Sequence, residues 1–452
     1  MRKWILAGVL VFTTVMETVT ARPQQPPTLR NSDEVALREY TGVYSWEPTA
    51  FVYLQMWNEF SGVSKPSELV AFDDSGEVRT LYPTDRDRFF AGPGMAVSAS
   101  IESRIEFQRD GTGKITSLTW HRDGAAPRTA RRIEIEKRED IRFSSGGVQL
   151  TGMLISPATG GKLPAIILVH GSGAQNRESM LPWARFLVRR GMAVLGYDKR
   201  GVGGSTGDWN TASFDDLADD VVAAFEYLKT RSDIDHTQIG LLGVSQAGWI
   251  MPLAAVRSKD LAFLISISGA GVPPAETTLD QARNEMAMTG TPPETLEAIM
   301  AVLKLQYQFA RTGQGWDEYA AAREKVAARL GKPPDTIPGT ADHPYWEVIR
   351  RAFFHDPVPV LRRLQVPTLA LWGELDNNIL AEKNKDAWEA ALKAGGNRDY
   401  TLRILAKANH AQWEAKVGSN AEMKSLDRFA PAYFTTIQDW LARRIRHSDK
   451  TQ

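Results

Sequence analysis

The sequence predicts an α/β fold, a mostly parallel sheet with helices on both faces and a helical cap insertion, preceded by a small antiparallel β domain. Three observations predict it. From about Glu139 onward, short apolar runs alternate with amphipathic stretches of helical period, the pattern of a parallel sheet covered by helices. Before that, between Leu37 and Ile135, short strand-like segments follow one another with turn residues between them. Between Gly271 and Pro357 the rhythm changes to consecutive helical stretches, too long and too structured for a loop. A chain of 452 residues also exceeds one small core, so two or more domains are expected.

The formal net charge is zero and the charges are dispersed; the absence of a basic stripe argues against a nucleic-acid partner. Cysteine is absent, which removes disulfides, thiol catalysis and cysteine-ligated metals. Arg2 and Lys3 precede the apolar run Trp4–Val15, and Val19-Thr20-Ala21 offers small residues for cleavage, so residues 1–21 read as a signal peptide. The run is short for a bilayer span and Glu17 ends it. The mature protein is therefore expected to be exported, periplasmic or extracellular, with no stable membrane anchor after cleavage. Residues 22–36, which begin with the Pro- and Gln-rich stretch Arg22–Asn31, read as a linker.

Within residues 37–135, Tyr40–Tyr44 opens the β texture. Ser67–Phe72 and Glu77–Tyr82 flank a turn at Asp73–Gly76, and Ser103–Arg109 and Lys114–Trp120 flank another at Asp110–Gly113. These predict a small antiparallel sheet or partial barrel. The larger domain, 139–447, starts with a hairpin, Ile141–Phe143 and Val148–Ile155. Pro164–Val169 is a near-continuous apolar run, as a central parallel strand should be. Helix at Trp183–Arg190, strand at Met192–Tyr197 and helix at Phe214–Lys229 follow, the last capped by Ser213 with Asp216 three residues on. Strands are expected at Leu261–Ser266, Val366–Trp372 and Tyr400–Leu405, and a closing amphipathic helix at Phe429–Ile445. Residues 272–357, with helical stretches Thr277–Met288, Pro293–Ala310, Asp317–Leu330 and His343–Phe354, read as a cap over the sheet edge where α/β proteins bind ligands. The alternative is a set of packing helices with no part in substrate choice.

The chemistry gathers around Gly243-Val244-Ser245-Gln246-Ala247-Gly248, between the apolar strand Ile239–Leu242 and the apolar run Trp249–Val256. A serine on such a strand-to-helix turn projects its hydroxyl above the sheet, near helix N–H groups that favour developing negative charge. Flanking glycines permit the crowded turn. The pattern is a nucleophile elbow, with Ala247 in place of the usual second glycine. Pro252 is expected to kink the following helix.

Three further strand ends complete a constellation. His170-Gly171-Ser172-Gly173 leaves the strand ending at Val169, and its small residues let backbone N–H groups approach a developing oxyanion. One donor is assigned to Gly171 or Ser172, the other to Gln246. Asp376, in Trp372-Gly373-Glu374-Leu375-Asp376, can orient a histidine and stabilise its cation, with Glu374 as its rival. His410 follows the strand Tyr400–Leu405 and is the natural base for Ser245. Of the seven histidines it alone is late, in a loop, and beyond a carboxylate at a strand end.

The order Ser245, Asp376, His410 is that of α/β-hydrolases. With the His170–Gly173 loop, the elbow and the stretch Tyr197-Asp198-Lys199-Arg200-Gly201-Val202-Gly203-Gly204-Ser205, residues from about Glu139 to the end resemble an α/β-hydrolase. They are similar to secreted bacterial esterases grouped with dienelactone-hydrolase-like and serine-aminopeptidase-like proteins. The resemblance implies structural roles for Asp198 and Arg200, and a carboxylesterase acting on a small-molecule ester of small or medium acyl chain, without metal or organic cofactor. Met286, Met288, Tyr307, Phe309, Trp316 and Trp346 of the cap either line an acyl pocket or glue the cap together. A peptidase is the close rival, and needs a carboxylate such as Glu285 or Glu294 to fix a peptide terminus. A binding protein with an inactive hydrolase fold is the third reading. The β module resembles lipocalin-like modules of secreted hydrolases and is assigned no chemistry; its aromatics Tyr44, Trp46, Tyr53 and Trp57 either form a core or bind an envelope component.

Overall fold

The computed structural model of the protein describes residues 34–57, 59, 68–158, 161–331 and 338–445. The expected signal peptide, 1–21, lies outside them, as does the linker up to residue 33. The last residues of that linker differ from expectation: helix α1 (Glu34–Arg38) starts there. Its ends are tied down, because Leu37 is buried in the β module and Arg38 pairs with both Glu34 at 2.7 Å and Glu59 at 2.6 Å.

The β module is a closed barrel, not a partial one. Its strands are β1 (Gly42–Glu47), β2 (Ala50–Met56), β3 (Leu69–Asp73), β4 (Val78–Asp85), β5 (Arg88–Ala91), β6 (Ser103–Arg109), β7 (Ile115–Arg122) and β8 (Arg128–Ile133). Closure is made by β1 against β8, with Val43 opposite Ile133 and Ser45 opposite Arg131. Tyr44, Leu54, Leu69, Leu81, Phe89, Ile105 and Leu118 fill the interior. The outward residues Val43, Tyr53, Val70, Phe72 and Val78 are buried as well, because they pack on the second domain. Burial on both faces removes the alternation by which a strand is recognised, so β2 reads as an apolar run over residues 50–54, with no strand period. β8 escapes recognition for the opposite reason: in Arg-Thr-Ala-Arg-Arg-Ile only Ala130 is buried.

The second domain begins with the hairpin β9 (Glu136–Ser145) and β10 (Val148–Pro157), whose register runs from Val148 opposite Ser145 to Pro157 opposite Glu136. Then come β11 (Leu163–Val169), α2 (Leu181–Val188), β12 (Ala193–Tyr197), α3 (Phe214–Lys229), β13 (Ile234–Val244), α4 (Ala247–Arg257) and β14 (Phe263–Ile267). Ser213 and Asp216 form a reciprocal capping box on α3. α4 continues through Pro252. The insertion supplies α5 (Pro274–Met288), α6 (Pro293–Thr312), α7 (Trp316–Leu330), α8 (Tyr345–Ala352) and the short α9 (Val358–Leu361). β15 (Thr368–Gly373), α10 (Ala381–Ala394), β16 (Tyr400–Leu405) and α11 (Ala432–Ala442) close the chain.

The sheet has eight strands in the order β16-β15-β14-β13-β11-β12-β10-β9. Strands β11 to β16 run parallel to one another, and β10 joins β12 antiparallel. One face packs on α3, α4 and α10; the other packs on α2, α11 and the barrel. This is the α/β-hydrolase fold with an N-terminal barrel. In the insertion, Met286, Tyr307, Phe309 and Trp346 pack into a core of their own with Trp316 against it, while Met288 is exposed. They hold the cap helices together. Among the described residues, no helix is long and apolar enough to cross a membrane.

Candidate active site

Ser245 sits at the exit of β13, where the chain turns into α4. Its φ is 59°, a left-handed conformation that side chains rarely take. Hydrogen bonds hold it there: its N–H donates to the Ile267 carbonyl at 2.8 Å and its carbonyl accepts from Gly248 N–H at 2.8 Å. The small residues around it are fixed by contact. A Cβ on Gly243 would lie 2.4 Å from Cβ of Ala247, and one on Gly248 would lie 2.5 Å from Cα of Gly269. Alanine is tolerated at 247 because its methyl occupies the space that Gly243 leaves empty.

The loop after β11 runs beside this turn. A Cβ on Gly171 would lie 3.2 Å from the Val244 carbonyl and 3.7 Å from Cβ of Ser245. Gly171, Ser172, Ser245, Gln246 and His410 all line one cavity of about 480 Å³. His170, just before, is buried with its ring edge-on to Tyr197; burial pushes its pKa down to about 3, so it stays neutral.

Asp376 follows β15 and its side chain is fully buried. Nδ1 of His410 lies 2.9 Å from its Oδ2 and 3.0 Å from its Oδ1. Oδ1 also accepts the N–H groups of Asn378 at 2.9 Å and Ile379 at 2.8 Å. Burial works against a charged His410, but the Asp376 carboxylate and its hydrogen bond outweigh it and raise the imidazole above the ordinary histidine range. Glu374, the rival, points elsewhere: its Oε2 accepts the Lys407 N–H at 2.8 Å.

Other residues support these groups in ways the linear pattern does not reveal. Ser268, at the exit of β14, is buried with φ of 50° and donates its hydroxyl to the His410 carbonyl at 2.8 Å. Gln412 donates to the same hydroxyl at 2.9 Å. Lys199 is buried behind the 171–173 loop and donates to Gly171, Gly173 and Gln246. Its neighbours have structural partners: Asp198 accepts from Arg177 and Gly204 N–H groups, and Arg200 grips Asp220 at 2.6 and 2.9 Å. The β12 exit was legible as a loop, but only its packing against the elbow shows what Lys199 touches.

The cap closes the cavity with Pro274, Thr277, Gln281, Val348, Arg351 and Phe353. Among the described residues, the walls carry no aspartate or glutamate; their charged side chains are Arg351 and His410 when protonated. Glu285 lies outside the cavity, paired with Asn420, and Glu294 is exposed in the first turn of α6. Among the described residues, no group of three or more His, Asp or Glu side chains is placed to hold a metal ion.

Esterase EstD of Thermotoga maritima is 23% identical over 285 residues, covering 62% of this chain and 61% of that protein. Dipeptidyl-peptidase 5 of Porphyromonas gingivalis is 24% identical over 279 residues, covering 58% of this chain and 33% of that protein. The chain thus spans less than two thirds of the length of these curated relatives. The solved structure of the Pyrococcus furiosus esterase PF2001 aligns over 69% of this chain and 92% of its own, with 18% identity and a TM-score of 0.46. The family model described as X-Pro dipeptidyl-peptidase (S15 family) matches residues 146–412, from the first hairpin turn through the His410 loop. On that match, over more than half its length, the chain belongs to the X-Pro dipeptidyl-peptidase (S15) family.

Proposed function

We propose that the protein is a serine hydrolase that cleaves carboxylic esters of small or medium acyl chain by way of an acyl-enzyme. Ser245 attacks the carbonyl carbon as His410 takes its proton, and Asp376 holds the imidazole in the right tautomer and steadies its cation. Backbone N–H groups of Gly171 or Ser172, and of Gln246, stabilise the oxyanion. His410 then protonates the leaving alcohol and activates the water that releases the acid. The single observation supporting this role for His410 is its Nδ1 at 2.9 Å from a buried Asp376, with His410 and Ser245 lining the same cavity.

The choice of ester over peptide is supported by the cavity wall. An exopeptidase that holds a free α-amino group needs a carboxylate facing its substrate; among the described residues the wall carries none, and its Arg351 already takes up the neighbouring Glu347 at 3.5 Å. The peptidase reading draws on the family description and on the similarity to a dipeptidyl-peptidase. Paired initial rates separate the two: a short-chain acyl ester against an aminoacyl anilide, each with Ser245→Ala as blank. Faster ester cleavage, lost in the mutant, supports the esterase; faster anilide cleavage overturns it in favour of the peptidase. We also propose export through residues 1–21, tested by sequencing the N-terminus of the protein recovered from the periplasm or medium.

A further inference from the structure

Lys199 is 2% exposed, in the loop leaving β12. Its Nζ donates to the Gly171 carbonyl at 2.9 Å, the Gly173 carbonyl at 3.3 Å and Oε1 of Gln246 at 2.8 Å. An ammonium has three protons to give, and these acceptors use all of them. None of the three is charged. Asp220, the acid whose field reaches Lys199, is already held by Arg200. Burying a cation against neutral acceptors costs stability, and here burial drags the lysine down to about 7. A buried amine of this kind beside a reaction cavity marks a candidate functional residue.

Its partners indicate the role. In a trans peptide the carbonyl and the following N–H point to opposite sides of the unit. With the Gly171 carbonyl drawn onto Lys199, the N–H of Ser172 is turned the other way, and Ser172 lines the cavity beside Ser245. The third partner, Gln246, is the residue after the nucleophile and the N-cap of α4. One side chain therefore grips both segments that bear oxyanion donors.

We propose that Lys199 is the positioning residue of the oxyanion site: it ties the 171–173 loop to Gln246 and fixes the N–H groups of Ser172 and Gln246 relative to each other. This rests on the acyl-transfer reading of Ser245. Donors held in place before the reaction stabilise the oxyanion without reorganising, so the effect falls on the transition state and spares substrate binding.

The test uses the full chain, a short-chain nitrophenyl ester, and a trifluoromethyl ketone of matching length, which forms an oxyanion on an attacking serine. Variants are Lys199→Met, Gln246→Met and Ser245→Ala, each checked for folding by thermal melt. Lys199→Met is expected to lower kcat by about 30- to 300-fold with KM nearly unchanged, and to weaken the ketone by a similar factor. Gln246→Met keeps the backbone donor and the lysine, and is expected to lose about 3- to 10-fold in both readouts. Wild-type kcat and ketone affinity in folded Lys199→Met overturn the proposal, as they do in Gln246→Met if the lysine variant fails to fold. A fall in kcat with ketone affinity intact also overturns it, since the lysine would then act away from the oxyanion. Turnover retained in Ser245→Ala would instead remove the acyl-transfer reading on which the clamp rests.

Discussion

His410 Nδ1 lies within hydrogen-bond distance of both oxygens of Asp376, at 2.9 Å from Oδ2 and 3.0 Å from Oδ1. The carboxylate is itself fixed by two backbone N–H donors, so the imidazole is oriented by a group that cannot turn away. That arrangement commits Nδ1 to carry a proton and leaves Nε2 free to act as base.

Asp376→Asn is therefore expected to cost far more than Glu374→Gln. An amide at 376 can donate to Nδ1 and so favours the wrong tautomer, a penalty on the order of 10⁴ in kcat in serine proteases. The exposed Glu374 carboxylate accepts the Lys407 N–H and lies away from His410, so its amide variant should stay within about threefold of wild type, the rate equivalent of the ~0.5 kcal/mol that surface substitutions cost. Steady-state rates on one ester decide it; the reverse ranking would transfer the acid's role to Glu374.

The pH profile follows from the same pair. His410 must be neutral to act as base, and its pKa is raised above 6.5, because the charge and hydrogen bond of Asp376 outweigh burial. kcat/KM should thus fall as pH drops, with its acid limb centred above 6.5. Removing the charge in Asp376→Asn leaves burial, which lowers the pKa, so the residual activity should show that limb moved to lower pH. For stability the sign is opposite: a folded-state pKa above the unfolded one stabilises the protein below pH about 6.5, and the gain is lost as pH rises through the folded value. A limb below that of free imidazole in the wild type would contradict the pairing.

Much of this site was legible because its parts sit where parallel strands end, and strand ends can be found from apolar runs. Ser245, Asp376 and His410 follow β13, β15 and β16 in turn. Lys199, Ser268 and Gln412 were not legible: each bonds to a neighbour distant in sequence, and a lysine or serine in a loop carries no mark of being buried. The barrel shows the same limit. Its hairpins around Asp73–Gly76 and Asp110–Gly113 were readable from turn chemistry. Its closure depends on pairing Val43 with Ile133, a long-range contact that no local pattern encodes. The cap helices were visible as periodic stretches, yet their large aromatics serve the cap's own core.

Gly243 offers a test of the elbow's packing. A Cβ there would lie 2.4 Å from the Ala247 methyl and 2.8 Å from the Val169 carbonyl oxygen, and neither belongs to a flexible side chain. Gly243→Ala must shift the turn that carries Ser245, and overpacking of this kind costs about 1–3 kcal/mol. The melting temperature should fall, and kcat should fall with it because the hydroxyl moves. Adding Ala247→Gly removes the nearer clash and should recover part of the stability. An unchanged melt in the single variant would mean that the turn is looser than its contacts indicate.

An aromatic chain links the barrel to the histidine loop. Phe72 on β3 packs against Phe429 and Phe434 with ring centroids 5.9 and 5.7 Å away. Phe429 stacks on Trp413 at 4.7 Å, three residues beyond His410, and its N–H donates to the Gly76 carbonyl at 2.9 Å. The backbone follows the same route, since Ala430 N–H donates to Gln412 and Glu414 N–H donates to Arg428, at 2.8 and 2.9 Å. Phe72→Ala opens a cavity in this stack, and truncations of buried phenylalanine cost about 3–5 kcal/mol. The variant should unfold at lower denaturant and lose kcat through a loosened His410 loop, with KM affected less. Deleting residues 37–135 goes further: it strips the barrel from Phe429 and Phe434, on the face of the sheet opposite α3 and α4. The shortened chain should aggregate on expression, where an independent appendage would leave a soluble hydrolase behind. Sedimentation of the lysate separates these outcomes, and a soluble, fully active remainder would show that the barrel plays no part in holding the site.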